Sequence, residues 1–184
     1  MECDPELAAA VLGALAVPAV GVSYGGNDPT EASMPLDWGA LIPLWFVPRT
    51  PVVIMSPARD RSWAEHVNVG AALTAATGGR RVALIASADH GHAHDPDGPY
   101  GFDPAAKAYD EGIVELVRQG PLEGLLELDS ALVDAAKADS LWQLLILHGA
   151  LGDGFDAELL SYEAPTYYGM LCAAYARRDA GLRN

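Results

Sequence analysis

The chain has 184 residues, 51% hydrophobic and 20% charged, enough to close one sizeable core and short for two. Its formal net charge of -14, from 25 acidic and 11 basic residues, repels nucleic acid and anionic lipid and argues against nucleic-acid binding. No apolar stretch approaches the roughly 20 residues of a membrane span, and the acidic start Glu2-Cys3-Asp4-Pro5-Glu6 lacks the basic region of a signal peptide. Two distant cysteines, Cys3 and Cys172, fit neither a disulfide framework nor a metal knuckle. A cytoplasmic protein folded as a single α/β domain over residues 1–184 is the expectation.

In chain order, Asp4-Pro5-Glu6 reads as a helix cap followed by proline in the first turn, and Leu7–Leu15 as the apolar helix it opens. Val17–Ser23 is predicted as a short strand and Tyr24–Ser33, rich in Gly, Asn, Asp and Pro, as a loop. Pro35–Val47 reads as a turn at Asp37-Trp38-Gly39 leading into an apolar segment. Pro51–Ser56 and Arg81–Ser87 are continuous apolar runs with β-branched residues, the pattern of strands buried on both faces. Trp63–Thr77 reads as a helix between them, stopped by Gly78-Gly79, so part of a mixed central sheet flanked by helices is expected to be parallel. Asp103–Gln119, Leu122–Ala138 and Ser140–Leu151 follow as helices. Glu158–Glu163 and Tyr168–Tyr175 are a pair of strands around Ala164-Pro165-Thr166, and Ala176–Asn184 is a polar tail.

Ligand sites in α/β sheets lie beyond the carboxyl ends of strands, and Ser87–Pro104 occupies such a position. Within it, Asp89-His90-Gly91-His92-Ala93-His94 sets three potential bases or metal ligands beside Asp89, Asp95 and Asp97. One histidine as a general acid or base, oriented by the others, is favoured over three-histidine metal ligation, while a Gly/Pro-rich exposed loop that merely collects polar residues stays open. His66 and His148 fall in helices and read as core or surface residues. Glu163, at a strand end, is either a solvated carboxylate or a partner for the histidine loop. Ser87 lacks the Gly-X-Ser-X-Gly setting of a hydrolase nucleophile.

Three segments together resemble the class III extradiol ring-cleavage dioxygenases, the LigB-type catalytic subunit family. Arg80–Pro104 is similar to that family's strand, its Ser-X-Asp/Gly-X-X-His turn and the Gly-Pro-Tyr-Gly after it. Leu36–Leu44 is similar to its Asp-His-Gly…Val-Pro-Leu segment, and Ser161–Tyr175 to its C-terminal strand pair. The resemblance implies O2-dependent opening of a catechol-like ring at a non-haem Fe(II) held by two histidines and a glutamate. It implies His92 as the acid/base histidine, Glu163 as the carboxylate ligand, and Asp89 and His90 as pocket neighbours. An aromatic small molecule and O2 are then the partners.

The chain also departs from the family. The two metal-binding histidines are not identifiable in it, because they belong to N-terminal strands and loops that this chain does not match, and Trp38 stands where the family has histidine in Asp-His-Gly. A start placed too late, a partner subunit that supplies the ligands, and a relative that no longer binds iron all stay open. A non-catalytic subunit or binding protein on the same scaffold is the alternative function. Homo-oligomerisation or a partner subunit is expected, since helix 7–15 and Trp45-Phe46 offer apolar surface.

Overall fold

The computed structural model describes residues 2–19 and 36–178. Local capping decides where most helices begin. Helix α1 (Pro5–Ala14) starts where the Asp4 carboxylate accepts the Leu7 N–H at 2.9 Å, with proline in its first turn. Helix α2 (Trp38–Trp45) begins at Asp37, which accepts the Ala40 N–H at 3.0 Å. This cap converts the expected turn and apolar segment into a helix. Helix α3 (Trp63–Ala76) opens on a reciprocal Ser62–Glu65 capping box. Helix α4 (Pro104–Gln119) is capped by Asp103 and stopped at Gly120, whose φ of 93° a side chain would resist.

The expected helix Leu122–Ala138 is broken in two. A short 3-10 turn covers Glu123–Glu127, and helix α5 runs only over Ser130–Ala136. The break comes from Asp129, whose side chain takes the Ala131 N–H at 2.9 Å and so starts a new helix instead of continuing the old one. Helix α5 ends at Lys137, a non-glycine residue in the left-handed region (φ 53°). Helix α6 (Leu141–Leu151) then packs along α3. The two backbones touch through glycines: a Cβ at Gly70 would lie 1.9 Å from the Ile146 carbonyl oxygen, and one at Gly149 1.9 Å from that of Val67.

The core lies between α4, the 3-10 turn, α5 and α6, where Tyr109, Ile113, Val117, Leu125, Leu141 and Leu145 are buried together. Each such aliphatic side chain contributes about 1.5–3 kcal/mol by leaving water. Strands β1 (Phe155–Glu163) and β2 (Met170–Arg177) form an antiparallel hairpin that closes one side of this core through Leu159, Leu171, Ala173 and Tyr175. Both begin or end within a few residues of the predicted pair. The register slips at Leu160: Leu159 pairs with Ala173 and Ser161 with Cys172, so β1 carries one extra residue there.

The mixed central sheet is not present among the described residues, whose sheet structure is this hairpin alone. Pro51–Ser56 and Arg81–Ser87 form no ladder, and one parallel bridge, Cys3 with Val52, joins the first to the segment before α1. Strands buried on both faces need layers packed on both faces. Lacking them among the described residues, Val82, Leu84 and Ile85 stay 45, 43 and 46% exposed. The predicted strand Val17–Ser23 from residue 20 onward, the loop Tyr24–Ser33 and most of the polar tail lie outside the described residues. Among those described, no helix is long and apolar enough to cross a membrane, and both cysteines are free.

Candidate functional site

The histidine segment is an extended strip threaded between two backbone edges. On one edge, the His90 N–H donates to the Gly169 carbonyl (2.9 Å), the Gly169 N–H to Gly91 (3.0 Å), and the His94 N–H to Tyr167 (3.2 Å). On the other, the His92 N–H donates to Ala136 (2.8 Å) and the Asp139 N–H to His90 (3.3 Å). Gly91 is pressed on α4, where a Cβ would come within 2.9 Å of the Ala106 Cα. At the strip's start, a Cβ on Gly39 would lie 3.9 Å from the Ser87 hydroxyl, so the Asp37-Trp38-Gly39 end of α2 borders the same region. The three segments that carried the family resemblance are thus neighbours in space.

The three histidines have different partners. His90 is 4% exposed; its Nδ1 lies 2.8 Å from the Ser140 hydroxyl, which is 2.9 Å from the Tyr109 hydroxyl. Burial pushes the His90 imidazole below its ordinary value, against the pull of Asp110 and Asp89, and burial likewise raises the Tyr109 phenol. His94 donates its Nε2–H to Asp110 at 2.9 Å. His92 holds its Nδ1 2.9 Å from both the His90 and the Lys137 carbonyl oxygens. Carbonyls only accept, so Nδ1 carries a proton, and in the neutral ring Nε2 keeps the lone pair. The nearest acidic oxygen to that Nε2 is Asp89 Oδ2, 3.6 Å away.

Aromatic rings pack around this imidazole. The centroids of Tyr100, Tyr167 and Tyr168 lie 5.7, 5.9 and 5.7 Å from it. His92 and Tyr100 line a cleft of about 700 Å³ together with Arg59, Asp134, Lys137, Asp139 and Trp142. Arg59 pairs with Asp139 and lies over the Trp142 ring, 4.7 Å from its centroid. The wall therefore offers aromatic faces, one free imidazole nitrogen and a neutralised ion pair.

Glu163 stands apart from this group. Along β1, Phe155, Ala157 and Leu159 turn inward, but the extra residue at Leu160 offsets the alternation, so Tyr162 turns inward and Glu163 is exposed. No hydrogen bond or ion pair to another described residue holds its carboxylate. Among the described residues no three His, Cys, Asp or Glu side chains converge as a metal ion requires.

Asp110 was missed in the sequence. It lies on α4 with its side chain fully buried, and its carboxylate accepts the Gly91 N–H (2.8 Å), the Tyr162 hydroxyl (2.6 Å) and the His94 Nε2–H (2.9 Å). Partial burial and then the bond to Asp110 raise the Tyr162 phenol above its ordinary value. The available signal was its place on the buried stripe of α4, with Ala106, Tyr109, Ile113, Val114 and Val117. A carboxylate on such a stripe is rare unless partnered.

Protein CA_C1420 of Clostridium acetobutylicum is 31% identical to the chain over 139 residues, 72% of this chain and 30% of that protein. The chain therefore spans less than a third of the length of this curated relative. The family model for the catalytic LigB subunit of aromatic ring-opening dioxygenase matches residues 1–173, and the chain belongs to that family.

Proposed function

We propose that this chain provides the acid/base wall of an extradiol-type aromatic ring-opening dioxygenase, in which O2 opens a catechol-like ring at a non-haem Fe(II). Family membership gives the scaffold, and the observation that carries the reading is His92. Its Nδ1–H is committed to two carbonyls, which leaves Nε2 as the base of a residue that lines the cleft with Tyr100 and Trp142. A catechol lying in that cleft transfers a hydroxyl proton to Nε2, and the Asp89 carboxylate then faces the new imidazolium as its ion-pair partner. Tyr100 and Trp142 flank the ring, and His90 supports the backbone that carries His92.

The described residues do not by themselves fit an Fe(II) centre. His90 is turned to Ser140, His94 to Asp110, and Glu163 is exposed on the other face of β1. In this reading Glu163, the carboxylate that the family resemblance offers, would hold the iron only together with histidines from outside the described residues or from a partner subunit. Because the described residues do not assemble a donor set and Trp38 replaces the family's histidine, the second reading is a non-catalytic subunit that binds an aromatic ligand in the same cleft.

Oxygen uptake by the chain, loaded anaerobically with Fe(II) and offered a catechol panel, tests the proposal. Catechol-dependent uptake that falls about 100-fold or more in His92→Ala supports it, the usual scale for removing an acid/base group. Uptake indifferent to His92→Ala overturns the assignment. Catechol binding without uptake, by the Fe(II)-supplied chain together with any subunit that co-purifies with it, favours the second reading.

A further inference from the structure

We propose that Asp110 is the positioning residue of His92: a buried carboxylate that locks the strip Asp89–His94 in the register that leaves His92 Nε2 bare. The inference rests on the reading of His92 as the base. Asp110 does not touch His92. It grips the chain on both sides of it, accepting the Gly91 N–H at 2.8 Å through one oxygen and the His94 Nε2–H at 2.9 Å through the other. The second oxygen also takes the Tyr162 hydroxyl at 2.6 Å, which ties β1 to the same point.

A buried carboxylate is costly unless its lone pairs are filled, and here three donors from two separate parts of the chain fill them. The strip, α4 and the hairpin are therefore held by one group. Gly169 shows how closely the parts fit: a Cβ there would stand 1.9 Å from Asp110 Oδ2. The same glycine makes the paired backbone bonds with His90 and Gly91 that set the strip's register. In an extended segment a slip of one residue turns every side chain to the opposite face. A slipped strip would carry His92 away from the Lys137 carbonyl, the one acceptor of its Nδ1–H that lies outside the strip.

This has a spectroscopic signature that mere loss of stability does not share. Neutral histidine in water favours the Nε2–H tautomer, whereas His92 carries Nδ1–H. Ring-nitrogen shifts of the 15N-labelled full chain at pH 8 should show His92 with a protonated Nδ1 and a bare Nε2. In Asp110→Asn, whose amide cannot accept all three donors, the Nδ1–H to Nε2–H ratio should fall about tenfold, the scale of one net hydrogen bond. Gly169→Ala, whose methyl must displace the carboxylate, should shift the ratio the same way and decides the matter if Asp110→Asn does not fold. Leu145→Ala, in the core and away from the strip, should lower Tm and leave the His92 signature intact. An unchanged His92 spectrum in a folded Asp110→Asn or Gly169→Ala protein overturns the proposal, as does an equal tautomer shift in Leu145→Ala. A tautomer shift in a protein whose wild type shows no catechol-dependent oxygen uptake keeps the positioning role and sinks only the catalytic reading.

Discussion

Replacing Ser140 by alanine removes one oxygen and leaves two buried polar groups facing the gap. Ser140 directly precedes α6, yet its hydroxyl caps no backbone N–H. It is turned instead to His90 Nδ1 at 2.8 Å and the Tyr109 hydroxyl at 2.9 Å, so the substitution costs no helix cap and isolates the network. Two net hydrogen bonds are lost, each about 0.5–1.5 kcal/mol, and a buried group left unpaired costs about 1–3 kcal/mol. His90 and Tyr109 are both almost wholly buried, so a total near ~3 kcal/mol is expected, a large share of the stability of a chain this size. The assay is urea unfolding of wild type, Ser140→Ala, Tyr109→Phe and the double variant. Because the hydroxyls share one network, the double variant should lose clearly less than the sum of the singles. A Ser140→Ala cost under about 0.5 kcal/mol, or strict additivity in the cycle, would mean that His90 and Tyr109 find other partners and that the network does not hold the strip.

Acidification should act through His90. Burial holds its folded-state value below the 6.5 of a free imidazole, so the unfolded chain takes the proton first; the stability it contributes is complete above pH 6.5 and falls below it by up to about 1.4 kcal/mol per pH unit, until the folded value is passed. Urea midpoints at pH 5 to 8 should show this slope in wild type and a shallower one in His90→Gln. At Lys137, glycine adopts the left-handed backbone freely, so Lys137→Gly should stay within about 1 kcal/mol of wild type. Lys137→Pro, fixed near φ -65°, should cost about 3 kcal/mol or more by the same urea assay and displace the carbonyl that holds His92 Nδ1.

The helices were legible where a single side chain decides their start. Asp4 with Pro5, Ser62 with Glu65 and Asp103 with Pro104 are local signals, and the helices begin where these stand. Asp129 is as local, but inside the long apolar pattern Leu122–Ala138 one aspartate reads as a surface residue and its cap is invisible. Strand pairing is not local at all. Pro51–Ser56 and Arg81–Ser87 have the composition of buried strands, and composition names no neighbour. In the site, the histidine strip was plain because its composition is unusual. Asp110 was not, since a lone aspartate in Tyr109-Asp110-Glu111 resembles a solvated helix face until the burial of Tyr109 and Ile113 places it on the inner stripe. The exposed Glu163 was one of two readings open at a strand end, and the extra residue at Leu160, which sequence does not show, is what turns it outward.

The left-handed end of α5 at Lys137 is what makes the histidine site possible. The turn stops the helix there, and the carbonyls of Ala136 and Lys137 are left without helical donors. His92 supplies both donors, its backbone N–H to Ala136 and its Nδ1–H to Lys137. An unmet need of a helix end is thus met by one residue of the strip, and meeting it turns the opposite ring nitrogen toward the cleft. His90 and His94, two residues to either side, reach no such carbonyls and are taken up by Ser140 and Asp110. Of three histidines that look equivalent in sequence, the one that terminates α5 is the one that lines the cleft.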